Sequence, residues 1–218
     1  MENPPELNRE GLVAAALDIA GDRGLAAVTM RALASRFDVT PMALYRHVAD
    51  RDELIRLAVD RVGGLVRAPS AHDAAWEQRA RTWARAQREV LRRYPGVAAW
   101  LVANGPAGPH AYRLLELLAS ALADAGFDDA RVARGTALIM SWTFTRIAVE
   151  DDADPRVQAR QPDRAQSFVA GLGEIDADTH PTTARIGTEF FTLPMREIFE
   201  TGLDWIIAGL KSEPTRPS

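Results

Sequence analysis

The stretch Thr29 to Leu54, TMRALASRFDVTPMALYRHVADRDEL, decides the fold of this chain. Met30, Leu33, Ala34 and Phe37 recur at three- and four-residue intervals behind Thr29, which predicts a helix capped by the threonine and broken at Asp38-Val39. Thr40 then caps a second helix. Pro41 stands in its first turn, where a missing N–H costs no hydrogen bond, and Leu44 and Val48 share the side used by Met30 and Leu33. With about seven residues from Pro41 to His47, this helix is too short to persist alone, because nucleation consumes most of what so few hydrogen bonds return. Neighbours must brace it, and its outer face is left free for the groove of a duplex. Asp50 caps a further helix, with Asp52 and Glu53 in its first turn at the positive end of the dipole. The pattern is a helix-turn-helix with a capped helix behind it.

Working outward, an opening helix is expected from about Asn8 to Ala20, with Leu12, Val13, Ala16, Leu17, Ile19 and Ala20 as its apolar face and Gly21 and Gly24 at its end. The fourth helix, roughly Arg51 to Leu65, carries Leu54, Ile55, Leu57, Ala58 and Val62, and Gly63-Gly64 followed by Ala68-Pro69-Ser70 marks the edge of a head. The expected division is a DNA-binding head over 1–67, linker helix included, and a body over 68–218. Leu33, Leu44, Val48 and Leu54 are assigned to the head core. In the body, helical patterns run at about Asp73 to Tyr94, Gly96 to Ala103, Pro109 to Ala125, Asp129 to Glu150, Asp163 to Leu172, Thr182 to Phe191 and Pro194 to Leu210. No segment alternates at period two for long enough to predict a sheet, and no internal repeat is visible, so the fold class is all-α. The expectation is a three-helix head joined by a fourth helix to a C-terminal helical bundle.

The helix holding Leu138 and Trp142 and the last helix, holding Phe199, Leu203, Ile206, Ile207 and Leu210, are apolar on more than one face. Such helices can bury one face in their own core and the other against a second copy, which predicts a homodimer with a four-helix interface. A two-fold pair of short readers would meet successive major grooves on one side of a duplex.

Composition narrows the alternatives. The chain has 218 residues, 47% of them hydrophobic, enough for a full core without staples. It has no cysteine and four histidines scattered without ligand spacing, so neither disulfides nor a metal site is expected. The polar N-terminus and the absence of any apolar run of membrane-spanning length point to a cytoplasmic protein that does not engage a membrane. A formal net charge of −4 argues against a wholly basic coat. Between Arg23 and His47, however, four arginines face the single Asp38, a local balance of +3 that implies few phosphate contacts and a modest salt dependence.

The residues LNREGLVAAALDIAGDRGLAAVTMRALASRFDVTPMALYRHVADRDEL, from Leu7 to Leu54, resemble the TetR family of bacterial transcriptional regulators, most closely its tetracycline-repressor-like branch. GL, VTMR, LA, ALYRHV and DEL stand in the family's order and spacing. A weaker resemblance, FETGLDWIIAGL at Phe199 to Leu210, looks like the closing helix of that branch's C-terminal domain. The resemblance implies a homodimer on a palindromic operator in double-stranded DNA, usually as a repressor, released when a small molecule enters the body. Displaced body helices would swing the fourth helix and spoil a half-site spacing of roughly 34 Å.

Carried over by position, the resemblance implies that Arg31 reads a base edge, a role its guanidinium suits through guanine O6 and N7. It implies that Tyr45, His47 and Arg51 meet phosphates, with Thr29 and Thr40 adding contacts at helix starts. Pro41, Met42 and Ala43 occupy the start of the reading helix, where apolar groups can meet thymine methyls. Pro41 stands where the tetracycline repressor has glutamine, which makes the tetracycline operator an unsuitable target. For the effector, Trp100, Trp142 and Phe168 lead among aromatics able to line a bundle cavity, which points to an aromatic or lipophilic small molecule. Trp83, Phe127, Phe144, Phe190 and Trp205 follow, with helix core as their bland alternative. His72, His110 and an Arg146–Glu150 pair are read as surface or satisfied groups. No histidine and acidic set equivalent to that holding magnesium-tetracycline can be placed residue by residue. Catalysis is not expected: there is no GxSxG, no HExxH and no phosphate-cradling glycine loop. The rival reading is a helical adaptor that keeps the fold without sequence-specific DNA binding.

Overall fold

A computed structural model describes residues 6–67, 74–157, 169–172 and 175–212. Among them every regular element is helical. The head comprises α1 (Arg9–Arg23), a single 3-10 turn (Leu25–Ala27), α2 (Met30–Arg36), α3 (Pro41–Leu44) and α4 (Arg51–Leu65). The body follows as α5 (Trp76–Leu91), α6 (Val97–Asn104), α7 (Pro109–Asp124), α8 (Asp129–Asp152), α9 (Pro181–Ile186), α10 (Glu189–Thr192) and α11 (Met195–Ser212). The helix expected over 163–172 lies mostly outside the described residues. The one expected over 182–191 is two helices, broken where Gly187 takes φ 57°.

Local chemistry accounts for the head. Asn8 accepts from Gly11 N at 2.8 Å and starts α1, which runs through Gly21 and stops at Gly24, the glycine that turns to φ 79°. Thr29 Oγ1 accepts from Ala32 N at 3.1 Å. Asp38, at φ 53°, is the turn between α2 and α3, a left-handed position that aspartate tolerates better than branched residues. Asp50 accepts from Glu53 N at 2.7 Å while Glu53 accepts from Ala49 N at 2.6 Å, a capping arrangement in which the glutamate reaches the residue before the cap and so fixes the start of α4. The other Glu53 oxygen pairs with Arg9, so the same side chain ties α4 to α1. Leu33, Leu44, Val48 and Leu54 are buried as expected.

The head core is continuous with part of the body: Leu12, Val28 and Val59 belong to one apolar cluster with Leu91, Val97, Leu114 and Ile147. A second cluster joins Trp83, Leu118, Leu122 and Ile139 to Phe199, Leu203, Ile207 and Leu210 of α11. This corrects the assignment of those four α11 residues to a partner interface, since each is at most 4% exposed within its own chain. The outward side of α8 and α11 instead presents Leu138, 50% exposed, and Trp205, 75% exposed, with Ile206 half-buried. Trp142 also turns inward. Its indole N–H donates to Phe199 O at 3.0 Å, and its ring lies over Gly202, where an added Cβ would come within 2.0 Å of it.

Two joints hold head to body. In the first, Asp60 of α4 accepts from His110 N at 3.0 Å and Ala111 N at 3.2 Å, capping the N-terminus of α7 from another helix. Gly108 leaves room for this bond, because a Cβ would lie 2.8 Å from the Asp60 carboxyl carbon and the carboxylate would have to shift. Arg113 adds longer bonds to Gly63 O at 3.4 Å and Val66 O at 3.3 Å. In the second joint, Leu25 N donates to Pro95 O at 2.8 Å, and Arg156 donates to Gly21 O at 2.8 Å, Arg93 O at 3.1 Å and Arg92 O at 2.8 Å. Asp154 and Asp151 organise that corner. Hydrogen bonds from Arg156 hold Asp154 down at about 2, whereas burial raises Asp151 to about 6 despite bonds from Gly96 N and Arg92. Glu150 is buried and pairs across to Arg88 at 2.8 Å and Arg92 at 3.4 Å, not along its own helix to Arg146. Arg146 instead lies over the Trp142 ring, 5.8 Å from its centroid.

Candidate nucleic-acid interface and body cavity

The helix-turn-helix gathers most of the sequence-selected residues on one exposed surface. Thr29, Arg31, Thr40, Pro41, Met42 and Tyr45 are exposed, Ala43 and His47 are half-buried, and Met42 reaches 74%. Leu44 and Val48 face the opposite way into the core, which fixes the side that α3 offers outward. After α3 the chain continues as a hydrogen-bonded turn, with His47 N donating to Leu44 O at 2.9 Å, so the reader keeps its compact form to His47. Thr40 occupies the N-cap position, but its hydroxyl makes no capping bond, contrary to the sequence expectation. That hydroxyl stays available to an external oxygen. The Thr29 hydroxyl accepts a cap bond and retains its own proton for donation.

Charge on this surface is sparser than sequence counting implies. Arg36 pairs with Asp18, so its charge is neutralised locally. Arg31 and Arg46 are exposed and have no salt-bridge partner among the described residues. Arg51 serves the fold as well as the surface. Its Nε donates to Val28 O at 2.8 Å, bracing α4 against the segment that enters α2. The side chain remains 43% exposed, so the terminal nitrogens stay accessible.

A cavity of about 200 Å³ lies between α4, α5, α6, α7 and α8. Trp83, Gln87, Leu91, Leu114, Val59 and Gly63 form its depth, while Val102, Pro106, Ser141 and Thr145 stand at an exposed rim. The Trp83 indole N–H donates to Leu114 O at 2.7 Å, which leaves the ring as an apolar wall. Trp100 and Trp142 do not line this space, a correction to the sequence expectation, because Trp100 packs against the head core cluster and Trp142 is held over Gly202. Phe168 lies outside the described residues. Trp83 and Phe144, ranked behind them by sequence, are the aromatic lining. Gln87 and Asp60 were not singled out by sequence at all. A glutamine among apolar positions on the Trp83 face of α5 is the one signal that marked the first. Nothing in the periodicity marked the second.

No group of His, Cys, Asp or Glu suited to a metal ion occurs among the described residues, and no described helix is long and apolar enough to cross a membrane. Residues 12–58 match the family model of bacterial regulatory proteins, tetR family, and residues 68–213 match that of the tetracyclin repressor-like C-terminal domain. An HTH-type transcriptional regulator of Saccharopolyspora erythraea is 28% identical over 214 residues, covering 94% of this chain and 85% of that one. The HTH-type transcriptional repressor DrrR1 of Streptomyces coeruleorubidus is 25% identical, covering 95% and 78%. ActR of Streptomyces coelicolor, solved in complex with actinorhodin, superposes with a TM-score of 0.81 at 27% identity, over 94% of this chain and 95% of that one. Helix-turn-helix head, helical body and the match of both segments together place this chain in the TetR family of bacterial transcriptional regulators, DNA-binding proteins that are not enzymes.

Proposed function

We propose that the chain is a cytoplasmic, ligand-responsive repressor that binds a palindromic operator as a homodimer and leaves it when an aromatic or lipophilic effector fills the body cavity. The single observation that carries this reading is the cavity wall itself: Val59 and Gly63 belong to α4, the helix that also closes the head. A ligand in that space touches the element on which head orientation depends. ActR, solved with actinorhodin and with (S)-DNPA, supports a small-molecule effector, and the name of DrrR1 supports repression. The labour divides near residue 67, with DNA reading before it and effector binding and dimerisation after it.

On the DNA side, Arg31 reads a base edge, Pro41, Met42 and Ala43 offer apolar groups to thymine methyls, and Thr29, Thr40, Tyr45, His47 and Arg51 position the head on phosphates. For the dimer, the partner is a second copy seated on the outward side of α8 and α11, where Leu138, Trp205 and Ile206 remain after the core has taken the rest. Two heads related by a two-fold axis then meet half-sites about one helical turn apart. Selection of duplexes from a randomised pool, followed by titration of the enriched and a scrambled sequence across a salt series, tests the reading. A symmetric site bound at least about a hundredfold more tightly than the scramble supports it. No enrichment at low salt returns the chain to a helical adaptor.

A further inference from the structure

We infer that Gln87 is the polar reader of the effector cavity, and that the effector is an uncharged, ring-bearing molecule whose carbonyl or hydroxyl group pairs with the Gln87 amide. This rests on the effector reading of the cavity given above. Gln87 lies one turn from Trp83 on the same face of α5 and is 2% exposed. No hydrogen bond to its side chain occurs among the described residues, and its amide, with two donors and an acceptor, is not one of the groups sealed away without a partner, so it opens onto the cavity. Its helix neighbour Arg88 turns away to Glu150 at 2.8 Å. Folded proteins pair nearly all buried polar side chains, since leaving one unpaired is costly and an apolar replacement of the same shape is not. An orphaned amide on the floor of an apolar cavity is therefore poised for a partner from outside the chain.

The remaining lining sets the class of that partner. None of the described lining residues is ionisable, so a carboxylate, phosphate or ammonium entering this depth would lose its hydration and gain no counter-charge. Trp83 and Phe144 offer ring surfaces, and Ser141 and Thr145 place hydroxyls at the rim for a second neutral polar contact. At about 200 Å³ the space exceeds the roughly 150 Å³ that holds one benzene ring, and its rim opens beyond.

Three probes separate the contributions: dihydroxyanthraquinone, with carbonyl and hydroxyl groups; anthracene, with the same ring frame and no polar atom; and anthraquinone carboxylate, with a charge. Affinities are read by tryptophan fluorescence for the wild type and for Gln87→Met, which keeps side-chain volume. The expected result is that Gln87→Met weakens dihydroxyanthraquinone at least about tenfold, leaves anthracene within about twofold, and does not lower Tm by more than about 2 °C. The carboxylate should bind the wild type at least about tenfold more weakly than the hydroxylated probe. Equal affinities of both proteins for dihydroxyanthraquinone overturn the assignment of Gln87. A lower Tm with equal loss of both neutral probes makes Gln87 a packing residue and overturns it too. A carboxylate that binds as well as the hydroxylated probe, or a wild type that binds no hydroxylated probe, overturns the ligand class. Release of the selected operator is followed in parallel: a probe that binds without releasing DNA overturns the effector reading, whereas release without dependence on Gln87 overturns this inference alone.

Discussion

Replacing Asp60 with alanine removes the carboxylate that caps α7 from α4, and the structure gives the size of the effect. Two bonds are lost, to His110 N at 3.0 Å and Ala111 N at 3.2 Å, together with a negative charge at a helix N-terminus. A lost cap costs about 0.5–2 kcal/mol and the dipole interaction about 0.3–1 kcal/mol. Because Asp60 is half-buried rather than fully enclosed, a loss on the order of 2 kcal/mol is expected, or roughly 4–8 °C in Tm for a chain of this size. The larger consequence concerns coupling. Operator affinity with and without effector, and effector affinity with and without operator, close a cycle whose coupling factor is typically about 5–150-fold. With fluorescence anisotropy for the operator and dihydroxyanthraquinone as effector, Asp60→Ala should bring that factor below about three while effector affinity in the absence of DNA changes less than about threefold. Gly108→Ala leaves every polar partner in place yet drives a methyl group to 2.8 Å from the Asp60 carboxyl, and should uncouple in the same way. A Tm that falls by the expected amount with the wild-type coupling factor intact would refute the reasoning, since the joint would then support the fold without carrying a signal.

Arg31→Ala should cost about 1–3 kcal/mol in operator binding and relax the preference at one base position in each half-site, whereas Tyr45→Phe should weaken all sequences alike, as competition against single-base operator variants will show. Trp205→Glu places a charge on the outward side of α11 and should leave a monomer in sedimentation equilibrium at micromolar protein where the wild type sediments as the proposed dimer; a variant that still pairs places the interface elsewhere. Asp151 is protonated more readily in the folded chain, at about 6, than at its ordinary 3.8, so its stabilising contribution is full below that ordinary value and is lost as pH rises through 6. Urea unfolding should show the wild type losing on the order of 1–3 kcal/mol relative to Asp151→Asn across that interval. Parallel curves for the two proteins would contradict it. Asp154, held at about 2, acts with the opposite sign and only at lower pH, so it does not mask the effect.

The head was legible because its determinants are local. Thr29, Asp50 and Glu53 announce helix starts by side chains that bond three or four residues away, and Leu33, Leu44 and Val48 set the inward face by spacing alone. Thr40 misled in one detail, since residue type marks a cap position without ensuring that the hydroxyl turns toward the backbone. In the body the same logic gave helices but not their rotation. An apolar residue on a two-faced helix reads alike whether it meets its own core or a partner, and only the approach of α8 to α11, with Trp142 laid over Gly202, turned Phe199 and Leu203 inward. Glu150 shows the same limit for charge: Arg146 is its neighbour along the helix, yet Arg88 and Arg92 meet it across the bundle. The cavity was least legible of all. It is made by five helices, and a glutamine without a partner looks in sequence like any other glutamine.

Arg156 gathers three carbonyl oxygens, one of them from the end of α1, while Asp60 fastens the far end of α4. Between these two anchors Leu12, Val28 and Val59 share one apolar core with Leu91, Val97 and Leu114 of the body. Head and body are thus both bolted and glued, and no loose hinge lies between them to absorb a displacement. Close-packed side chains transmit strain, so a shift of α4 is passed on to the packing of α1 and of the reading helix.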